Sequence, residues 1–237
     1  MIYFLIYFCF PDLSCHSPNI SERQFERIIR SDSLGLLNQS TKHLLRMYPD
    51  GLRQDSSNPN PIIAWNFGVQ MVALNYQNTD QMMSLCYGKF LDNGLCGYVL
   101  KPNYLIHLQK SDYNPSNYLN QKALTKGYLN HFEYPKRLTV TIISGQFLSR
   151  SNKKFDDIPD PYVQVSTHGI QCDQQMQKTK FIENNGFNPE WNETFVFDIY
   201  FPQMCLVRFD VYDYDTFGKD ERMAYFCLPM TMMQTGN

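Results

Sequence analysis

Arg208–Asp215 reads RFDVYDYD, an alternating run that closes on two aspartates one residue apart. Strand side chains alternate between faces, so Asp213 and Asp215 share one side while Asp210 points to the other. Neighbouring carboxylates repel each other and disfavour each other's ionisation unless a cation lies between them. The competing account is a solvated, Asp-rich turn after a strand. The same strand-like alternation recurs in LTVTIISG (138–145), DPYVQVST (160–167), QKTKFI (177–182), WNETFVFDIY (191–200), CLVRFDVYD (205–213) and MAYFCLPM (223–230). Turn-forming stretches such as NNGFNP (184–189) separate these runs. Short strands at this spacing predict an antiparallel β-sandwich.

Loops at one end of a sandwich meet in space although they are distant in sequence. Calcium needs 6–8 oxygen ligands and is well served by carboxylates pooled from such loops. Asp160 precedes one strand, with Asp156 and Asp157 just upstream, and Asn184 sits in the NNGFNP turn. Asp213 and Asp215 end another strand, and Asp220 and Glu221 follow in the next loop. Spacing alone does not choose between Asp220 and Glu221.

The first half of the chain has a different pattern. SERQFERIIR opens a helix expected over Ser21 to Leu37, with Ser21 and Gln24 placed as a capping box. HLLRMYP (43–49), MVALNYQ (71–77) and GYVLKP (97–102) read as short strands, the second apolar enough for burial on both faces. Helix alternating with buried strand predicts an α/β layer. A polar, tyrosine-rich stretch without clear period, 103–136, reads as a linker.

Composition narrows the class. The 237 residues are 43% hydrophobic and 19% charged, with a net charge of −2. Such a chain buries a core and has no bulk attraction for nucleic acid or for an anionic membrane. Seven scattered cysteines (Cys9, Cys15, Cys86, Cys96, Cys172, Cys205 and Cys227) include no Cys-x-x-Cys pair. That pattern predicts neither a disulfide framework nor a zinc site, and points to a reducing, cytoplasmic compartment. MIYFLIYFCF, residues 1–10, is too short to span a membrane and lacks the basic start of a secretory signal. It reads as a buried strand or as the ragged start of an incomplete chain.

The order SGQ…DPYV…NGFNPEWNETF…VYDYD resembles a C2 domain over 137–237. The resemblance implies a calcium-dependent sandwich that binds anionic phospholipid, with Asp160, Asn184, Asp213 and Asp215 on ligand positions and Ile158 offering its carbonyl. C2 domains usually continue beyond MAYFCLPM, so the sandwich is expected to be incomplete. The sparse acidic set of the first loop points to a weak or single-ion site.

RMYPDGLRQDSSNPNPIIAWNFGVQMVALNYQ (46–77) and GKFLDNGLCGYVLKP (88–102) are similar to the Y half of eukaryotic phosphoinositide-specific phospholipase C. The domains expected are therefore the Y half of a split, distorted TIM barrel (1–102), the linker (103–136) and the C2 domain (137–237). The direct passage from Y half to C2 favours delta-like or zeta-like branches. The resemblance implies hydrolysis of phosphatidylinositol 4,5-bisphosphate to diacylglycerol and inositol trisphosphate, in signalling and lipid breakdown. It makes Arg46 and Tyr48 substrate contacts, the first forking onto a ring phosphate and the second facing the inositol. Alternation independently puts both on one face of a strand. A family serine before the first helix aligns with Asn19.

The family's acid–base histidines and the acidic residues for its catalytic calcium belong to the X half. His16, His43, His107, His131 and His168 lie on no motif resembling that site. No catalytic residue is assigned here, and the chain alone is expected to be inactive. The partners expected are the X half, calcium, membrane phosphoinositides and anionic phospholipid, with peripheral rather than integral membrane contact. The alternative is a non-catalytic, calcium-dependent phospholipid-binding or regulatory fragment.

Overall fold

The computed structural model describes residues 17–108, 113–118, 135–149 and 158–234. MIYFLIYFCF, Asp156, Asp157 and most of the expected linker lie outside these residues. The described residues fall into two compact units. One draws on Met1–Met83 and Leu100–Asn117, the other on Ser84–Val99 and Tyr118–Asn237.

In the first unit, β1 (Asn19–Ser21), β2 (Arg46–Tyr48) and β3 (Met71–Val72) form a parallel sheet in that order. Parallel neighbours need crossovers, which here are helical. Helices α1 (Glu22–Ser31) and α2 (Ser33–Lys42) link β1 to β2, and α3 (Pro61–Asn66) links β2 to β3. Ile20, Met47, Phe25, Leu36, Leu37 and Leu45 are buried. Helix α4 (Gln81–Phe90) follows β3.

The capping box is present: Ser21 Oγ accepts the Gln24 N–H at 3.3 Å, and the Ser21 N–H donates to Gln24 Oε1 at 3.1 Å. Such a cap is worth about 1 kcal/mol. The single helix expected to Leu37 is instead two. Asp32 leaves helical geometry (φ −150°, ψ 65°) and its carboxylate accepts the Gly35 N–H at 2.8 Å, starting α2. The aspartate ends one helix by capping the next.

Two expected strands are corrected. MVALNYQ contributes only Met71 and Val72 to the sheet, and its residues are half-buried or exposed. Asn75 then leaves the strand path for a reciprocal pair: its N–H donates to Asn58 Oδ1 at 2.6 Å, and Asn58 Nδ2 donates to the Asn75 carbonyl at 3.3 Å. GYVLKP forms no strand, and Tyr98 and Leu100 are 83% and 87% exposed. Gly94 and Gly97 sit at φ +57° and +81°, the left-handed region that glycine enters without strain. Asn93 Nδ2, donating to the Tyr98 carbonyl at 2.7 Å, closes the resulting loop.

In the second unit, β4 (Lys136–Ser144) pairs with β7 (Glu190–Ile199). A four-stranded sheet runs β6 (Gln175–Lys178), β5 (Pro161–His168), β8 (Leu206–Asp213) and β9 (Glu221–Pro229), all antiparallel. Alternate residues of both sheets meet in one core of Val140, Val163, Val165, Trp191, Phe197 and Val207 among others. Of the expected QKTKFI, β6 takes in only Gln177 and Lys178, because Thr179 takes over the ladder. Its Oγ1 accepts the Val163 N–H at 3.0 Å while its own N–H donates to the Val163 carbonyl at 2.9 Å.

Alternation puts Arg208 and Asp210 on the outer face of the four-stranded sheet, yet they are only 1% and 2% exposed. Ser84–Val99 packs on this face beside Arg208. Ser84 Oγ accepts from Arg208 Nη1 at 2.7 Å, and Asp92 Oδ1 accepts from Thr231 Oγ1 at 2.6 Å. A Cβ on Gly88 would lie 2.5 Å from Cys227 Sγ and 3.1 Å from its carbonyl carbon, so α4 approaches β9 through the glycine. Among the described residues, no helix is long and apolar enough to cross a membrane.

Candidate functional site

Asn19 and Arg46 are register partners on β1 and β2. Partnered residues of parallel strands project to the same face, and Tyr48 lies two residues beyond Arg46 on that face. Asn19, Arg46 and Tyr48 are exposed, whereas Ile20 and Met47 between them are buried. An amide, a guanidinium and an aromatic ring thus share one accessible surface. A guanidinium grips phosphate oxygens in a fork, and a ring face suits the apolar side of a sugar-like polyol.

Sequence reading missed what fixes this surface. Glu22 directly follows β1, and Arg53 lies in the turn after β2. The Glu22 carboxylate accepts from Arg53 Nε at 2.7 Å, from Arg53 Nη2, and from the Asp50 N–H at 3.2 Å. The Arg53 hydrogen bond holds the Glu22 carboxyl below the usual carboxylate range, against the opposing effect of burial. Arg23 Nε meets Asp50 Oδ2 at 2.9 Å, binding the same turn a second time. No local signal marks a pair separated by 31 positions.

The acidic loops gather at one end of the sandwich. Pro161 is the register partner of Asp213, so Asp160 lies beside the end of β8. Its N–H donates to Asp213 Oδ1 at 2.8 Å and its carbonyl accepts the Tyr214 N–H at 3.1 Å. Asp160 Oδ1 in turn accepts the Asn184 N–H at 2.6 Å, with Asn184 at φ +51°. Asp160 therefore ties together the loops bearing Asn184 and Asp213.

Asp215 belongs to a second knot: its N–H donates to Asp220 Oδ1 at 3.1 Å, while Tyr162 donates to Asp220 Oδ2 at 2.6 Å. Burial first, and then the Asp220 carboxylate, push the Tyr162 phenol above its ordinary value, so it stays a donor. Glu221 opens β9 opposite Asp213. Ile158 is half exposed just before this knot.

These donors are all oxygens, a set suited to a hard divalent cation such as calcium. Asp160 and Asp213 are adjacent. Even so, among the described residues no three His, Cys, Asp or Glu side chains converge as a group that could hold a metal. The donor chemistry fits calcium; the arrangement is open.

Comparison with known proteins assigns a family pattern to each half of the chain. The pattern of the phosphatidylinositol-specific phospholipase C Y domain matches residues 12–104, and that of the C2 domain matches 136–237. The chain belongs to the phosphatidylinositol-specific phospholipase C family. Among curated relatives, this phospholipase C chain is 40% identical over 219 residues to the 1-phosphatidylinositol 4,5-bisphosphate phosphodiesterase delta-4 of Xenopus laevis. It is 38% identical over 218 residues to the delta-1 enzyme of Homo sapiens. Each alignment covers 92% of this chain and 28% of the relative, so the chain spans under a third of their length. The crystal structure of L. pealei PLC21 superposes with a TM-score of 0.75 at 32% identity, over 91% of this chain and 26% of that one. The first unit is accordingly part of a phospholipase C catalytic barrel and the sandwich is a C2 domain.

Proposed function

We propose that this chain is the Y-half and C2 portion of an enzyme that hydrolyses phosphatidylinositol 4,5-bisphosphate to diacylglycerol and inositol trisphosphate at a cytoplasmic membrane surface. The register of β1 against β2, which sets Asn19 beside Arg46 with Tyr48 on the same exposed face, carries this reading. In it, Arg46 grips a ring phosphate, Asn19 adds a hydrogen bond, and Tyr48 lies against the inositol. The acid–base pair would come from the X half; such a pair typically contributes 10²–10⁴-fold in rate. The purified chain is therefore expected to release no inositol trisphosphate from bisphosphate-containing vesicles. Co-expressed with an X half of a delta-type relative, it is expected to do so. Release by the chain alone would overturn the division of labour. Failure of the combination would leave a non-catalytic, calcium-dependent phospholipid-binding protein as the better account.

We also infer that Asp160, Asn184, Asp213, Asp215 and the Ile158 carbonyl make up a calcium site that brings the sandwich to anionic phospholipid. Calcium held there supplies positive charge to an acidic loop end, offsetting the repulsion that a chain of net charge −2 feels from lipid phosphate. Phe217, 99% exposed between Asp215 and Asp220, gives the same end an apolar tip. Replacing both Asp213 and Asp215 by asparagine is expected to abolish calcium-dependent vesicle co-sedimentation. The calcium-free form should be slightly stabilised, because two like charges disappear. Equal sedimentation of wild type and the double variant in calcium would return these residues to a solvated turn.

A further inference from the structure

We infer that Tyr162 is a latch that holds Asp220 away from the calcium site and so sets how tightly the C2 loops take up the ion. The inference rests on the calcium reading above and names a control element within it.

Its basis is the pairing around Asp220. Both carboxylate oxygens are engaged by the protein: Oδ1 by the Asp215 N–H at 3.1 Å and Oδ2 by the Tyr162 hydroxyl at 2.6 Å. Each oxygen keeps a second lone pair, but a carboxylate pinned on both oxygens cannot swing toward an ion held elsewhere without breaking a hydrogen bond. Tyr162 itself is firmly placed. It is a β5 residue, largely buried, with its ring stacked on Tyr212 at 5.4 Å and the Lys178 ammonium 5.2 Å over its centre. The latch is therefore anchored on the rigid sheet, and its catch is carried on the β8–β9 loop.

The open arrangement at this end fits a closed latch. Asp160 and Asp213 already meet, and Asp215 is attached through its backbone to Asp220. Turning Asp220 from Tyr162 toward that pair would add a carboxylate to a site in which no three now converge. Calcium uptake then includes the loss of one hydrogen bond. The sequence left Asp220 and Glu221 as equal candidates; Asp220 is the one that Tyr162 and the Asp215 N–H hold, whereas Glu221 is paired by its backbone opposite Asp213.

The test is calcium titration by calorimetry of the whole chain in four forms: wild type, Tyr162→Phe, Asp220→Asn and both together. Phenylalanine keeps the stacked ring and removes only the hydroxyl, and a thermal melt of each form verifies folding. One hydrogen bond corresponds to a change in Kd of about threefold to tenfold, so Tyr162→Phe is expected to tighten calcium binding by that factor. Asp220→Asn is expected to weaken binding, and the gain from Tyr162→Phe to vanish in its presence, as coupled residues require. An unchanged Kd in Tyr162→Phe overturns the latch. So does a gain that persists beside Asp220→Asn, which would assign the effect to ring packing. If no form takes up calcium, the calcium reading itself fails and the latch falls with it.

Discussion

Arg208→Ala is expected to destabilise the second unit by about 3–5 kcal/mol, the cost of leaving a buried charge without its partner. Arg208 is 1% exposed, and its Nη2 pairs with Asp210 Oδ1, itself 2% exposed. Its Nη1 donates to Ser84, and its guanidinium lies 5.2 Å from the centre of the Tyr225 ring. Removing the side chain strands the Asp210 carboxylate in a buried position. Arg222 Nη1, 3.9 Å from the same oxygen and partly solvated, offers only partial relief. Replacing both members with apolar residues of similar volume, Arg208→Met with Asp210→Leu, should recover most of the loss, since a buried ion pair contributes little net stability over good packing. Urea denaturation monitored by fluorescence measures both variants. A shift below about 1 kcal/mol for Arg208→Ala, in the range of exposed pairs, would falsify the buried-pair account.

The second large effect concerns the barrel face. In an enzyme assembled from this chain and an X half, Arg46→Ala is expected to lower the rate on phosphatidylinositol 4,5-bisphosphate roughly 100-fold. Arg46→Lys should recover only part, because an ammonium offers a point charge and no planar fork. Unphosphorylated phosphatidylinositol should be much less affected by either change, since it lacks the ring phosphates that the fork would grip. The readout is release of water-soluble inositol phosphates from vesicles of each lipid. Wild-type kinetics for both variants on the bisphosphate would place Arg46 outside the substrate site.

The sandwich was largely legible in the sequence because its strands bury one face and show it as alternation. The ends of β5, β7 and β8 fall within a residue or so of the runs that announced them. The barrel half was harder to read. Its strands are two or three residues long, too short for any period to register, and the apolar run MVALNYQ looked like a strand for most of its length. What diverts it is the Asn58–Asn75 pair, a contact across 17 positions that no local window contains. Asp32 was invisible for a different reason: an aspartate inside a helical pattern gives no sign that it will cap a second helix.

At the candidate sites, the residues themselves were legible and their partners were not. Asn19 and Arg46 could be named, but their side-by-side register and the Glu22–Arg53 clamp needed the fold. Alternation placed Asp210 on the face opposite Asp213 without showing that this face is buried. Its partner Arg208 is held by Ser84, 124 positions earlier, a contact no local window contains. Tyr162 carried no signal either, since a tyrosine in a strand reads as packing and its hydroxyl finds Asp220 across 58 positions.

The packing of Ser84–Val99 against Arg208 and Cys227 bears on cooperativity. A segment whose sequence pattern belongs with the barrel falls, by its contacts, in the same compact unit as the sandwich. Hydrogen exchange should therefore protect the Ser84–Val99 amides together with those of β8 and β9, as one foldon. A C2 domain excised at residue 136 would open a charged pair to water and lose the packing of Gly88 on Cys227. One begun near residue 81 would keep both. Evolutionary exchange of this sandwich between proteins would face the same constraint: the portable piece is larger than the repeatable motif, and it includes the helix that comes before it.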